Sequence, residues 1–271
     1  MTPVSSPISR FYRSTRRMAA RALKPILRPR RANLCCCGLS KTGTHSMAGL
    51  FEGFRSAHHP DAETRLPLAI GLLRGGVSES RARRILRERD RDFWLEMESS
   101  SLAGLLIHPL VRACPDKQFV LTVREPRSWC DSWLDHNLSR PVDPASPWAE
   151  LDRLRLRVAE FQPTRFDAPL TEHGFPPLAC YFQLWAAHNR RVLEAVPPAR
   201  LLVIETSEIG KRSDEIARFA GIPLESLRTD RSWLFSAPKK HGLLGTLDRG
   251  YVSETADEWC SALAQRLGIS I

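Results

Sequence analysis

The segment 34–51, Leu-Cys-Cys-Cys-Gly-Leu-Ser-Lys-Thr-Gly-Thr-His-Ser-Met-Ala-Gly-Leu-Phe, constrains this chain more than any other. An apolar strand over 33–37 runs into a Gly/Ser/Thr loop, and the loop runs into an amphipathic helix expected over 44–55. At the start of such a helix the first backbone N–H groups have no intrahelical acceptor, and the aligned peptide dipoles favour negative charge. A strand–loop–helix of this composition is therefore an anion cradle. It places Ser40, Lys41, Thr42, Gly43, Thr44 and His45 around a bound phosphate, with the strand buried in a layered α/β domain.

A second cationic site is legible downstream. Lys117 to Val123 reads as a buried strand that ends in Arg124-Glu125-Pro126, and a helical pattern follows over 127–138. Ser132 stands eight residues after Arg124. A guanidinium at a strand end and a hydroxyl on the next helix can hold a further phosphate, one as a rigid cationic fork and the other as a donor. Two such sites suit a nucleotide phosphorylated at both ends. The spacing from Gly38 to Gly43 is that of a Walker A loop, but Thr44 stands where an ATPase or kinase carries lysine, and the loop's lysine is Lys41.

The pair of motifs resembles the sulfotransferases that use 3′-phosphoadenosine 5′-phosphosulfate (PAPS). In that family a Lys-x-Gly-Thr loop binds the 5′-phosphosulfate; here it is Lys41-Thr42-Gly43-Thr44. A strand ending in Arg-x-Pro, with Ser eight residues after the Arg, binds the 3′-phosphate; here it is Arg124-Glu125-Pro126 and Ser132. The stretch 201–208, leading to Phe219-Ala220-Gly221-Ile222-Pro223, is similar to the family's later strand and helix. The resemblance runs from about Asn33 to the C-terminus. It implies a three-layer, mostly parallel sheet flanked by helices, a P-loop NTPase-like sulfotransferase fold. It also implies PAPS as sulfuryl donor, no metal, and a hydroxyl or amine acceptor on a carbohydrate, glycolipid or small metabolite. The competing readings are a P-loop kinase or NTPase and a non-catalytic nucleotide-binding protein.

The order of the remaining segments agrees with an α/β sheet. A polar insertion over 56–92 carries a helix expected from Ser78 to Arg89, and Phe93 to Glu98 reads as a strand. Helices are expected over 102–113, 148–161, 177–196 and 213–220, with a strand at 201–205. The last helix is expected to start at Thr255, with Glu258 completing a capping box, and to stop before Gly268. Both phosphate motifs fall at carboxyl ends of strands, where open α/β sheets bind ligands.

For the chemistry, Lys41 is the cation for the leaving phosphate oxygen. Glu98, with Glu96 on the same strand face, is the first candidate for the base that removes the acceptor proton, since a carboxylate buried near a nucleotide can have its pKa raised. The plain alternative is that either carboxylate pairs with an arginine. His58 and His59, ahead of Pro60, and His136 are rival bases. Trp129, Trp133, Trp185 and Trp233 are candidate walls for the adenine. Lys239 and Lys240, in a Pro-Lys-Lys-His-Gly stretch, are candidates to close over the 3′-phosphate.

The formal net charge of +10 is unevenly placed. Residues 1–33 hold nine Lys/Arg and no acid, leaving 31 basic and 30 acidic residues in the rest of the chain. A nearly neutral body argues against nucleic acid as a partner. We divide the chain into a basic, flexible tail over 1–32 and a sulfotransferase domain over 33–271. The tail interleaves apolar residues with arginine, a pattern suited to peripheral contact with an anionic membrane or to a targeting segment. No apolar run reaches the length of a membrane span. The seven cysteines show no disulfide or metal-ligand spacing and read as buried thiols of a cytoplasmic protein.

Overall fold

The computed structural model describes residues 24, 26–232 and 240–270. Five parallel strands form one sheet: β1 (Leu34–Cys36), β2 (Ser56–His58), β3 (Met97–Ser99), β4 (Gln118–Val123) and β5 (Leu201–Glu205), in the spatial order β2-β3-β1-β4-β5. The α-helices are α1 (Thr44–Leu50), α2 (Ala62–Leu73), α3 (Glu79–Phe93), α4 (Ser101–Leu105), α5 (Ile107–Ala113), α6 (Pro126–Ser139), α7 (Pro147–Arg155), α8 (Ala168–Thr171), α9 (Leu178–Ala195), α10 (Ser213–Ala220) and α11 (Arg249–Leu267). β1 pairs with β3 on one side and β4 on the other, so all three of its residues are buried. The three consecutive cysteines alternate between faces. Cys35 and Cys37 join the larger core under α4–α6, α9 and α11, whereas Cys36 and Leu34 join a smaller core with Met47, Leu50 and Phe51.

This alternation fixes where a ligand can enter. The chain leaving β1 turns to the small-core face and becomes α1. The chain leaving β4 turns to the large-core face, where Trp129, Cys130, Trp133 and Leu134 of α6 are buried. Two neighbouring strands whose connections depart to opposite faces leave a crevice beyond their carboxyl ends.

Several elements differ from the sequence expectation. The insertion over 56–92 contains an edge strand, β2, and a further helix, α2, which carries Pro67 internally. The apolar Phe93 and Trp94 do not open a strand; Phe93 ends α3, and Trp94 caps it in the left-handed region at φ 53°. The helix expected over 102–113 breaks at Leu106. The first helix stops at Leu50, and the one expected over 148–161 stops at Arg155. Thr255 is not a cap. Asp248 caps α11 by accepting from Tyr251 N, and Thr255 lies in the second turn, its Oγ1 donating to the Tyr251 carbonyl at 2.6 Å.

The last residues of the basic tail are docked on the body. Arg30 forks onto Asp90 at 3.0 Å and lies over the Trp94 ring. Arg31 donates to Glu96 through both its backbone N–H and its side chain. No helix among the described residues is long and apolar enough to cross a membrane.

Candidate active site

The loop between β1 and α1 is held in a shape that few sequences tolerate. A Cβ at Gly38 would lie 2.1 Å from Thr122 Oγ1 and 2.5 Å from the Thr122 carbonyl, so the loop can pass β4 only with glycine there. Gly43 has φ 86°, and Lys41 itself adopts φ 72° without being glycine. That conformation costs a non-glycine residue about 1 kcal/mol or more and persists where the surroundings over-determine it. Here they do. Thr42 Oγ1 donates to the Leu39 carbonyl at 2.7 Å and shares a 2.9 Å hydrogen bond with Thr122 Oγ1. Thr206 Oγ1 donates to the carbonyls of Thr42 and Val123, and Trp129 Nε1 donates to that of Ser40 at 2.9 Å. Thr42, expected in the binding set, is thus a buried brace whose hydroxyl is engaged inside the loop. Unlike α3 and α6, which are capped by Ser78 and Glu125, α1 has no side-chain cap and no acid in its first turn.

Beyond this loop lies a cavity of about 790 Å³. It gathers Ser40, Lys41, Gly43, Thr44 and His45 from the first motif and Arg124 and Ser132 from the second. Arg124 is steadied from two sides: its Nε donates to Ser128 Oγ at 2.9 Å, and its carbonyl accepts from Trp185 Nε1 at 2.9 Å. Lys240 reaches the same cavity because Asp135 Oδ1 accepts from the backbone N–H groups of His241 and Gly242, pinning that segment to α6. Lys239 and Trp233 lie outside the described residues. Of the other tryptophans, Trp133 lines the cavity, whereas Trp129 and Trp185 are fully buried behind it.

Cations and carboxylates both line the cavity, the carboxylates being Glu125, Asp131, Asp135, Asp152 and Glu205, but the two sets are unevenly paired. Lys41, Arg124, Arg140 and Lys240 line it, and none forms an ion pair among the described residues. Burial lowers the Lys41 pKa, and the nearby guanidinium groups of Arg124 and Arg140 lower it further. Burial lowers Arg124 as well. Four histidines share the space. The His45 and His58 rings stack at 3.5 Å, His58 meets His59 edge-on, and His59 meets Trp148 edge-on. His58 Nε2 lies 3.1 Å from Thr44 Oγ1, and the two ring nitrogens of His59 face Ser100 Oγ and Ser101 Oγ. Burial, reinforced by neighbouring positive groups, lowers His58 to about 3 and His59 to about 4. His45 and His136 are lowered too, by burial and then by Lys41.

The two carboxylates expected on the strand face are not in this cavity. Glu98 is buried between Arg65 and Arg89, accepting from both. Burial alone would raise its pKa, but Arg65, Arg89 and Lys117 hold it down at about 2. Glu96 lies at the other end of the strand, under Arg31 and Arg55. Burial opposes its charge, but its bonds to their side chains and backbone N–H groups bring it to about 2. Carboxylates held this acidic and away from the cavity are structural counter-ions. The alternative weighed for them, pairing with arginine, is what the structure shows.

A sulfotransferase-domain model matches residues 33–223 of the chain. The chain belongs to the sulfotransferase family. Among solved structures, the sulfotransferase of Alicyclobacillus acidocaldarius aligns at 16% identity and TM-score 0.47, covering 89% of this chain and 97% of that one. The sulfotransferase STF9 of Mycobacterium avium aligns at 15% identity and TM-score 0.49, covering 100% and 88%. The sulfotransferase domain of the Synechococcus olefin synthase aligns at 12% identity and TM-score 0.43, covering 88% and 95%. No curated protein matches by sequence. The sulfotransferase cavity also contains groups that the motifs do not announce: Ser128, Arg140, Trp148 and Arg155. Ser128 had a signal, since it stands one helical turn before Ser132 and four residues after Arg124. Trp148 and Arg155 come from α7, and nothing local ties that helix to a nucleotide.

Proposed function

We propose that this sulfotransferase uses PAPS as its donor and transfers the sulfuryl group to a hydroxyl or amine of an acceptor. The observation that carries the reading is the pair of half-buried cations, Lys41 and Arg124, that form no ion pair among the described residues and follow the ends of adjacent strands into one cavity. Desolvated cations without carboxylate partners favour an anionic ligand, and their separation into two motifs favours one with two anionic groups. When bound, the donor supplies a sulfuryl group whose bond to the 5′-phosphate breaks as a bond to the acceptor forms, releasing the acceptor proton.

The residues divide that work. Lys41 and the uncapped first turn of α1 face the charge that gathers on the 5′-phosphate. Arg124, backed by Ser128, together with Ser132 takes the 3′-phosphate, and Lys240 adds a cation beside it. Trp133 offers an aromatic wall for the base. The acceptor proton goes to an imidazole rather than to Glu98. In the absence of anions the cavity keeps His58 and His59 neutral, and a neutral ring nitrogen can accept a proton. A bound polyanion raises both pKa values towards the working range of a general base. Trp148, against His59, and Val142 give the cavity apolar surface for the acceptor.

Calorimetry with adenosine 3′,5′-bisphosphate and with AMP tests the donor. The bisphosphate should bind at least tenfold more tightly, as expected for one additional charge-assisted contact of about 1.5–3 kcal/mol. Equal affinities would remove the 3′-phosphate site. Transfer of label from PAPS to a panel of acceptors should survive EDTA; activity that EDTA abolishes, Mg²⁺ restores and ATP supports would mark a kinase instead.

A further inference from the structure

Helix α3 carries an unpartnered cationic face. Its buried side consists of Ala82, Leu86 and Arg89. The opposite side exposes Arg83, Arg84, Arg87 and Arg91, spaced to fall in a row along one face, and these line a shallow groove of about 420 Å³ with Ser80 and Glu88. None of the four arginines forms an ion pair among the described residues. Glu88 is the single acid in the groove.

The end of this row is apolar. The most exposed large hydrophobic residues described are Ile26 at 76% and Leu27 at 71%, and Phe93 at the end of α3 is 44% exposed. Ile26 and Leu27 are held at the end of α3. Lys24 Nζ donates to the Asp92 carbonyl, and Trp94 Nε1 donates to the Arg28 carbonyl at 2.8 Å. The sequence ahead of residue 24 adds five arginines and no acid. An arginine row, an exposed apolar cluster at its end and a basic segment joined to that cluster make one continuous feature.

We propose that this face docks on an anionic lipid bilayer. The arginines of α3 would lie against phosphate and carboxylate headgroups, and Ile26, Leu27 and Phe93 would enter the boundary between headgroups and acyl chains. Surface-binding elements combine cationic and apolar groups in this way, with the charge giving attraction and the apolar groups depth. A nucleic acid or an acidic polysaccharide would also satisfy the arginines, but neither gives exposed aliphatic side chains an apolar medium. Docking leaves the cavity open. Phe93 lies on the side of Glu96 and Arg31, ahead of the first residues of β3, whereas the cavity lies beyond the strands' carboxyl ends.

Sedimentation of the full chain with vesicles tests the proposal. Binding is expected to vesicles of phosphatidylcholine mixed with phosphatidylserine and not to phosphatidylcholine alone. The triple variant Arg84→Ser, Arg87→Ser, Arg91→Ser should bind the mixed vesicles on the order of a hundredfold more weakly. Ile26→Ser with Leu27→Ser should remove the part of binding that persists at high salt. Both variants change exposed residues outside the cavity, so thermal melting and turnover with a soluble acceptor should match the parent. Wild-type vesicle binding by the triple variant would assign the attraction to the tail alone and overturn the role of α3. A protein that ignores mixed vesicles but retains heparin or duplex DNA through the same arginines would overturn the membrane assignment.

Discussion

Two clusters of cations flank β3 and differ in one respect. In the cavity, Lys41, Arg124, Arg140 and Lys240 have no carboxylate partner among the described residues. On the α2–α3 side, Arg65, Arg89 and Lys117 are each paired, with Glu98, Asp61 and Asp90. The clusters are two residues apart in sequence at one point, since Glu98 closes the second while Ser100 faces His59 in the first. The paired cluster is complete without a ligand. In the cavity, Glu125 caps α6, Asp135 holds the 241–242 backbone and Asp152 pairs with Arg155, which leaves those four cations for the anion proposed above. Cation content alone does not distinguish the two clusters; whether each cation has an ion-pair contact does.

The paired cluster also holds strained backbone beside the cavity. His59 and Asp61 have φ 48° and 52° on either side of Pro60. Arg89 fixes Asp61 at 2.8 Å, and the His59 backbone N–H donates to the Ser99 carbonyl at 2.9 Å. Removing Glu98 should therefore have the largest effect on stability. Glu98→Ala leaves two buried guanidinium groups without their shared counter-ion, and Arg65 already has Nε and Nη2 without partners. Loss of one partner from a buried pair costs about 3–5 kcal/mol. Urea unfolding of the variant should show a loss of that size, with nucleotide affinity retained in the folded fraction. A variant as stable as the parent but without turnover would return Glu98 to the chemistry.

Arg124→Ala should have the opposite profile. Bisphosphate affinity is expected to fall ten- to hundredfold, from a contact of about 1.5–3 kcal/mol, while AMP affinity and urea stability stay close to the parent. No carboxylate is orphaned by the change, because Glu125 accepts from Arg127 and Ser128 to cap α6. A large stability loss without an affinity loss would place Arg124 among the structural cations and erase the contrast between the clusters.

What could be read from the sequence follows the same division. The loop around Lys41 and the Arg124-x-Pro126 strand end are contiguous motifs whose residue types encode local backbone shape, and the structure brings them into one cavity. A parallel sheet with that loop at its carboxyl end could be read for the same reason. Glu98 could not be assigned, because its partners are 33 and nine residues away and lie on helices that fold back over β3. α2 gave no signal because Pro67 and a mixed apolar pattern obscure its period, and β2 is three residues long. Thr255 and Glu258 matched a cap by local spelling, while Asp248 had the position. His58 and His59 were visible as a pair, and His45 and His136 as separate residues. Their stacking depends on β2 lying beside β3, which only the sheet order provides.

The smallest effect concerns protons, and it sharpens the comparison by adding a third environment. His188 on α9 is fully buried behind the loop, its Nε2 2.8 Å from the Cys37 carbonyl, and burial lowers it to about 3. His58 and His59 are lowered as well. For all three the unfolded pKa of about 6.5 lies above the folded one, so the unfolded state takes up protons first as pH falls. Stability should be level above about pH 6.5 and decline below it, by about 1.4 kcal/mol per pH unit for His188. Glu98 is lowered as well, but from an ordinary value of 4.5, so its contribution is fully present above about pH 4.5 and does not blur the window between 6.5 and 4.5. Urea midpoints at pH 7.5 and 5.5 should show the decline, and His188→Gln should reduce it. Saturating bisphosphate should reduce it further, because an anion in the cavity raises the pKa of His58 and His59 but not that of a histidine behind the loop. A slope that responds to His188→Gln and is unchanged by the nucleotide would mean that the imidazole row does not face the bound anion, and the base would have to be sought elsewhere in the cavity.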